Sequence, residues 1–232
     1  MTDKFISLFS KKIVIIGPSI GIYIDQKDEL ILTAVRNVLS REFRKVMLKN
    51  SFACRDDASK STMIEKMVLC KKPSQIVMYD FQSVSFSKEE ILSKVSQLIG
   101  DEEFLQLLSI ILSSQLVMSG SNSERMVLEE NKGFPIIGNL IINFMFHDFD
   151  LRMESEMKDF LHFRYLDKGF IILPERKVSE FWPDDLLSII NSEYDFDTEF
   201  FDLFPGKRSV VWGDHIIFIS KCGHLLSIPL IF

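Results

Sequence analysis

HFRYLDKGFIIL, residues 162–173, is the stretch on which the reading of the fold turns. Apolar side chains flank Tyr165–Lys168 on both sides, Leu161 and Phe163 ahead of it and Phe170 to Leu173 behind it. That is the profile of a buried β-hairpin, yet Asp167 and Lys168 occupy its tip. Charged residues between two core strands are either solvated turn residues or the chemical end of a sheet. The hairpin alone leaves both open.

Working outward, QIVMYDF (75–81) is an apolar run of strand length ending in a carboxylate, Asp80, with the strand itself expected at about 76–79. Ser87-Lys88-Glu89-Glu90 has the S-x-x-E form of a capping box, which opens a helix over 88–99 with Ile91, Leu92, Val95, Leu98 and Ile99 inward. Gly100 closes it. DEEFLQLLSIILSSQLVM (101–118) reads as a further helix, with acids in its first turn as the helix dipole prefers. The polar 119–133 stretch leads to FPIIGNLIINFMFHDFDLRM, read as a helix over 135–150 that begins near Pro135. There Asp148 and Asp150 read as part of a solvated face.

Upstream, IVIIGPSIGIYI (13–24) reads as two short strands around the turn dipeptide Gly17-Pro18. Apolar spacing predicts a helix over 28–48, with Arg36, Arg41, Arg44 and Lys45 on its other face, and a second helix at about 60–70. Downstream, a helix is expected near 184–191. The C-terminal stretch reads as strands with turns at Gly213-Asp214 and Cys222-Gly223. No repeat, low-complexity tract or linker interrupts the chain, so the expectation is one continuous α+β domain.

Bulk properties narrow the classes. At 232 residues with 47% apolar content and 21 Phe, the chain can bury a proper core. Its net charge of −6 argues against a chain that coats itself in nucleic acid, so such contacts need a local basic surface or a partner. Cys54, Cys70 and Cys222 are an odd number without a C-x-x-C spacing, which speaks against a disulfide framework. No secretory signal is read at the N-terminus, and the longest apolar run is too short for a membrane span. The expected setting is a reducing one, bacterial cytoplasm or an organellar matrix, without secretion or membrane attachment.

Familiar catalytic patterns are absent. No G-x-x-x-x-G-K-[ST] phosphate loop follows the first strand, and no Ser elbow occurs. His215, Cys222 and His224 match no common zinc spacing and lack a fourth ligand. What remains is the order of elements. A strand ends in Asp80, helices follow, a Gly133-Phe134-Pro135 turn opens another, and a hairpin then carries Asp167 at its tip. Two carboxylates from adjacent strand ends suit two-metal phosphoryl transfer, because hard cations want oxygen ligands held a few ångströms apart.

In that order the chain resembles the reverse transcriptase family, in particular its group II intron, retron and defence-associated branch. MYDFQSVSF (78–86) resembles the first metal-binding motif, NKGFPIIGNLIINFMFHDFD (131–150) the G-x-P-Q-G segment and its helix, and FRYLDKGFIIL (163–173) the R-Y-x-D-D hairpin. Residues 28–61 are similar to the fingers segment, and PGKRSVVWGDHIIFISKCG (205–223) to the Lys-bearing strand and primer grip. The resemblance implies a right-hand polymerase architecture of fingers (1–75) and palm (76–232), with an antiparallel sheet, helices on one of its faces and no thumb. It implies Asp80 and Asp167 as magnesium ligands and, with Lys168, as the catalytic positions. Arg55, Lys207 and Phe81 would lie on the nucleotide side, and Gly133, Pro135 and Tyr165 on the template–primer side.

The departures shape the functional expectation. Lys168 stands where the family has its second hairpin Asp, and Ile136 and Ile137 replace the Gln and Gly that follow the motif's Pro. Replacing a carboxylate by an ammonium changes the local charge by two units, and like unit charges about 4 Å apart repel by roughly 4 kcal/mol at an effective dielectric near 20. A divalent ion is therefore disfavoured beside Lys168, unless that side chain points away. Alternatively, the ammonium neutralises the acids in the ion's place. Two functions follow: a non-catalytic or weakly active nucleic-acid- or protein-binding subunit of a larger assembly, or an active RNA-directed DNA polymerase that a partner protein or RNA completes. A protein or nucleoprotein partner is expected in either case, with RNA or an RNA/DNA duplex as the nucleic acid.

Overall fold

The computed structural model describes residues 11–16, 19–23, 26–55, 57–70, 73–81, 86–113, 116–118, 136–157, 160–174, 198–206, 208–212 and 215–230. In chain order these form strands β1 (Lys11–Ile16) and β2 (Ser19–Tyr23), helices α1 (Gln26–Phe43) and α2 (Lys60–Val68), and strand β3 (Pro73–Phe81). Helices α3 (Lys88–Ser96) and α4 (Glu102–Ser113), strand β4 (Leu116–Met118), and helices α5 (Gly138–Met145) and α6 (His147–Glu156) follow. Strands β5 (Leu161–Tyr165), β6 (Lys168–Pro174), β7 (Thr198–Leu203), β8 (Ser209–Trp212), β9 (His215–Ile219) and β10 (Leu225–Pro229) complete the series. The expected helix at 184–191 lies outside the described residues.

The chain divides into two compact units, Met1–Val46 with Ser85–Ile141, and Met47–Val84 with Ile142–Phe232. Neither is one uninterrupted run: β3 pairs with strands far downstream of it, and α3 and α4, which lie between them in sequence, belong to the other unit. In the first unit β1 pairs antiparallel with β2 and parallel with β4, while α3 and α4 lie against each other. The capping box forms as expected, Ser87 Oγ accepting from the Glu90 N–H at 3.2 Å and the Glu90 carboxylate accepting from the Ser87 N–H at 2.7 Å. The Ser87 hydroxyl, at 2.6 Å, and the Ser87 N–H both donate to the Glu90 carboxylate and hold its pKa below its ordinary value. Residues 116–118 are a strand rather than the end of a helix: α4 stops at Ser113, and the Leu116–Met118 backbone bonds to β1 instead.

The second unit carries the hairpin. Its main sheet has the order β5-β6-β3-β7, antiparallel throughout, and a meander β8-β9-β10 forms a smaller one. Side chains alternate across the main sheet. Ile76, Met78, Phe170, Ile172 and Leu203 join Met63, Ile64 and Met67 of α2 and Val210, Trp212, Ile217, Ile219 and Leu225 of the smaller sheet in one core. On the opposite face, Tyr79, Phe81 and His162 meet Phe149 of α6 at ring-centroid distances of 5.5–5.7 Å, with the Tyr79 and Phe81 rings 5.1 Å apart and those of Tyr79 and His162 5.9 Å apart. The expectation of helices on a single face is thus corrected: α6 covers one face, α2 and the second sheet the other. The physical reason lies in composition, since from Ile76 to Phe81 both alternating sets of β3 are apolar except for Asp80, and two apolar faces need two covers.

The helix expected over 135–150 is two helices. Phe146, between α5 and α6, leaves helical geometry at φ −80° and ψ 7° and turns its ring onto Phe81, stacked at 5.0 Å. Apolar periodicity cannot register such a break, because residues on both sides of it are buried.

Candidate functional site

β3 runs to Phe81, so Asp80 lies within the strand rather than past its end. It stands directly opposite Lys168 on β6 and Glu199 on β7. Directly opposed residues of an antiparallel pair share a face with their Cβ atoms about 5 Å apart. The Lys168 ammonium accordingly donates to Asp80 Oδ2 in a salt bridge. The pair is not deeply buried, the Lys168 side chain being 35% exposed and that of Asp80 12%. It lines a cleft of about 430 Å³ whose walls include Met78, Phe201, Val210 and Trp212.

Asp167 occupies the turn between β5 and β6, and the Phe81 N–H donates to its carbonyl at 3.0 Å, tying the end of β3 to the hairpin tip. Burial is the main cause that pushes the Asp167 carboxyl pKa above its usual value; the Asp80 charge adds to it, while Lys168 and Arg164 oppose it. Ahead of Asp167, Leu166 is held at φ +57°, a left-handed conformation that costs a non-glycine residue roughly 1–2 kcal/mol.

Arg164 supplies what holds that turn, and nothing in the sequence reading had singled it out. Its side chain is completely buried. Nε donates to Asp150 Oδ1 at 2.7 Å and Nη2 to Asp150 Oδ2 at 2.5 Å, a two-pronged ion pair. Nη1 donates to Asn143 Oδ1 at 2.8 Å and to the Leu166 carbonyl at 2.7 Å. Nη2 also reaches Ser51 Oγ at 3.1 Å and the Asn143 carbonyl at 3.0 Å. Every guanidinium N–H therefore has an acceptor, and the Phe146 ring lies 5.2 Å from Cζ. Asp150 is correspondingly buried, which corrects its reading as a solvated acid: only an arginine across the core makes an ionised carboxylate tolerable there. A sequence signal did exist, namely an Arg at an inward strand position preceded by polar Asn143 and Asp150 in an apolar helical run.

Next to it, His162 bonds Tyr79 Oη through Nε2 at 2.8 Å, with Asn50 Nδ2 3.5 Å from Nδ1. Burial lowers the His162 pKa to about 4, assisted by Arg164 and opposed by Asp150, so the ring is neutral near pH 7. Burial likewise pushes the Tyr79 phenol well above its ordinary range.

The remaining expected positions are dispersed. Arg55 is engaged locally: it forks onto Asp57 at 3.0 and 2.5 Å and donates to the Leu48 carbonyl at 3.0 Å. Phe81 is a core side chain enclosed by Tyr79, Phe146 and Phe149. Tyr165 packs edge-on against Trp212 at 6.0 Å. Gly133, Pro135 and Lys207 lie outside the described residues. Among those described, no group of three or more His, Cys, Asp and Glu is placed to hold a metal ion. Together with the engagement of Asp80 by an ammonium, this means the donor set does not fit the magnesium that the resemblance implies.

No protein-family model matches the chain, and no curated protein does. Solved structures do share its fold. Apo telomerase from Candida tropicalis aligns with a TM-score of 0.66 at 10% identity, over 95% of this chain and 48% of the telomerase chain. The same telomerase truncated from its C-terminal domain gives 0.60 at 9% identity, over 95% and 54%. Telomerase from Candida albicans, in complex with a TWJ fragment of telomeric RNA, gives 0.57 at 12% identity, over 94% and 45%. The chain spans about half the length of the telomerase chains it matches, and at such identity the likeness is one of fold alone. Among the described residues no helix is long and apolar enough to cross a membrane.

Proposed function

We propose that this chain is a reverse-transcriptase-like subunit whose catalytic end is degenerate, and that it serves a larger nucleoprotein assembly by binding RNA and protein rather than by polymerising. The observation that carries this reading is the Lys168–Asp80 salt bridge, formed where the family's hairpin has a second carboxylate. Nucleotidyl transfer of the two-metal kind needs carboxylates free to bridge cations, and here one of the two retained acids is already neutralised. The fold shared with telomerase, one of whose structures holds a telomeric RNA fragment, supports a ribonucleoprotein setting. The motif likeness to the intron, retron and defence-associated branch is the finer assignment, with bacterial cytoplasm or an organelle as its place.

A second reading, an active RNA-directed DNA polymerase completed by a partner, draws on one feature: Asp80 and Asp167 are both present, and the Phe81 N–H, next to Asp80, bonds the Asp167 carbonyl. One pair of measurements separates the two. Purified protein is given a labelled deoxynucleotide, an RNA template with a DNA primer, and magnesium, while binding of the same RNA is followed by fluorescence anisotropy across a salt series. The proposal expects RNA binding that weakens with salt and incorporation no higher than that of Asp80→Asn. Incorporation that Asp80→Asn abolishes would establish the second reading.

A further inference from the structure

We infer that the outer face of the β8-β9-β10 sheet is a docking surface for an acidic amphipathic helix of a partner protein. Such a surface deepens the reading of the chain as a subunit, and rests on that reading for the presence of a protein partner.

Register decides which side chains share the face. Val211 stands opposite Ile216, and Ile216 opposite Ile228, so these three form one row across the sheet. Ser209, Phe218 and Leu226 form the next row by the same pairing. The alternate residues, Trp212, Ile217 and Leu225 among them, belong to the core. An antiparallel sheet with one solvated face ordinarily carries polar side chains there, but in these two rows only Ser209 is polar. Val211 is 61% exposed, Ile228 51% and Leu226 39%, while Ile216 and Phe218 are half-buried. Directly opposed Cβ atoms lie about 5 Å apart. The rows therefore make one continuous apolar patch, which marks an interaction surface as scattered apolar residues do not.

Size selects the kind of occupant. Three strands about 4.8 Å apart, with about five residues each rising about 3.3 Å, give a face roughly 10 Å by 16 Å. That is the footprint of one helix, about 10 Å across, with roughly eleven residues lying along it at about 1.5 Å each. Two copies of this face pressed together would bury well under the roughly 1,200 Å² of a stable interface, which argues against a second copy of the chain. A single helix makes a weak contact by itself, and other contacts in an assembly strengthen it.

Charge selects the chemistry. Arg208, ahead of β8, and Lys221, in the turn from β9 to β10, are both exposed. They lie at the same end of the sheet, where the Gly206 N–H donates to the Ile219 carbonyl at 2.8 Å and a Cβ on Gly206 would come within 2.8 Å of Lys221 Cγ. The described residues from Arg208 to Leu230 include no acid, in a chain whose net charge is −6. Neither cation has an acidic partner among the described residues. An apolar face with cations at one end fits a helix that carries an apolar stripe flanked by carboxylates. RNA fits it less well, because bases stack on flat rings and Phe218 is the one aromatic side chain in the two rows.

The probe is a stapled, fluorescein-labelled helical peptide of about four turns, with Leu along one stripe and Glu elsewhere. A version with Lys for every Glu and a scrambled version accompany it, and anisotropy is read with the full chain. The acidic peptide should bind the parent about tenfold more tightly than its Lys counterpart, and the scrambled one should not bind. Leu226→Ser/Ile228→Ser, on the strand farther from the Lys168 cleft, should weaken the acidic peptide by about tenfold. Arg208→Glu/Lys221→Glu changes only exposed side chains and should reverse the preference between the two charged peptides. No binding by the parent, or binding indifferent to both double variants, would overturn the assignment. So would a parent dimer that Leu226→Ser/Ile228→Ser makes monomeric, which would put a second copy on the face. Loss of RNA affinity in that variant would put RNA there instead. Failure with the peptides leaves the subunit reading to its own test, RNA binding without incorporation by the parent, and magnesium-dependent incorporation would sink that reading without altering peptide affinity.

Discussion

Breaking the Arg164–Asp150 pair should be among the most damaging changes available to this chain, and breaking both partners together should be far less so than the two separate losses imply. Both side chains are essentially inaccessible to solvent. Asp150→Ala leaves a guanidinium in the core facing only neutral acceptors, Asn143, Ser51 and the Leu166 carbonyl. Arg164→Ala leaves an uncompensated carboxylate together with those same acceptors. An orphaned buried charge costs about 3–5 kcal/mol, set against a total folding stability on the order of 5–15 kcal/mol. In the Arg164→Met/Asp150→Leu double variant no charge remains, and the residual loss comes from acceptors without donors, about 1–3 kcal/mol each where water cannot reach. The coupling between the sites should then reach about 2–3 kcal/mol. Urea unfolding followed by far-ultraviolet circular dichroism, with the matching Arg164→Met and Asp150→Leu singles, closes the cycle. If the two single losses simply add in the double variant, the ion pair is not what holds these residues, and the account of the hairpin tip fails with it.

Two further outcomes can be checked by melts and titrations. A Cβ on Gly169 would fall inside the Tyr79 ring at Oη and Cζ, so Gly169→Ala should destabilise by roughly 1–3 kcal/mol. At Gly100 a Cβ meets nothing within 4 Å, and Gly100→Ala should be neutral or gain up to about 1 kcal/mol; similar losses at both positions would rule out the close approach to Tyr79. His162 has its pKa depressed from 6.5 to about 4 in the fold, so the unfolded chain binds its proton more readily between those values. The stability it contributes is complete above pH 6.5 and disappears as pH falls toward 4, a change of about 3 kcal/mol for a shift of this size. Asp167, whose pKa is raised, has the opposite sign: its contribution is present below pH 3.8 and is lost as pH rises. The urea midpoint between pH 4 and 7 is therefore best followed in Asp167→Asn. His162→Gln in that background should flatten its rise with pH, and an unchanged slope would mean that His162 is not the titrating group.

Much was legible in the sequence because its cause is local. The hairpin at 162–173, the strand before Asp80, the Ser87–Glu90 cap and the strands around Gly17-Pro18 follow from period, punctuation and capping chemistry acting over a few residues. The identities of Asp80, Asp167 and Lys168 were likewise there to be read. What only the tertiary structure decided is where each side chain is directed and what it meets. The β3–β6 register sets Lys168 against Asp80, and a slip of one residue would have sent the ammonium to the other face. The break at Phe146 lets its ring cover Phe81. Asp150 looked like a surface acid and Arg164 like one more strand residue, because the bond between them spans the core and satisfies both charges at once. Sequence position carries no record of that distance, whereas a low-dielectric interior makes it decisive, since a buried charge persists only where its partner is already waiting.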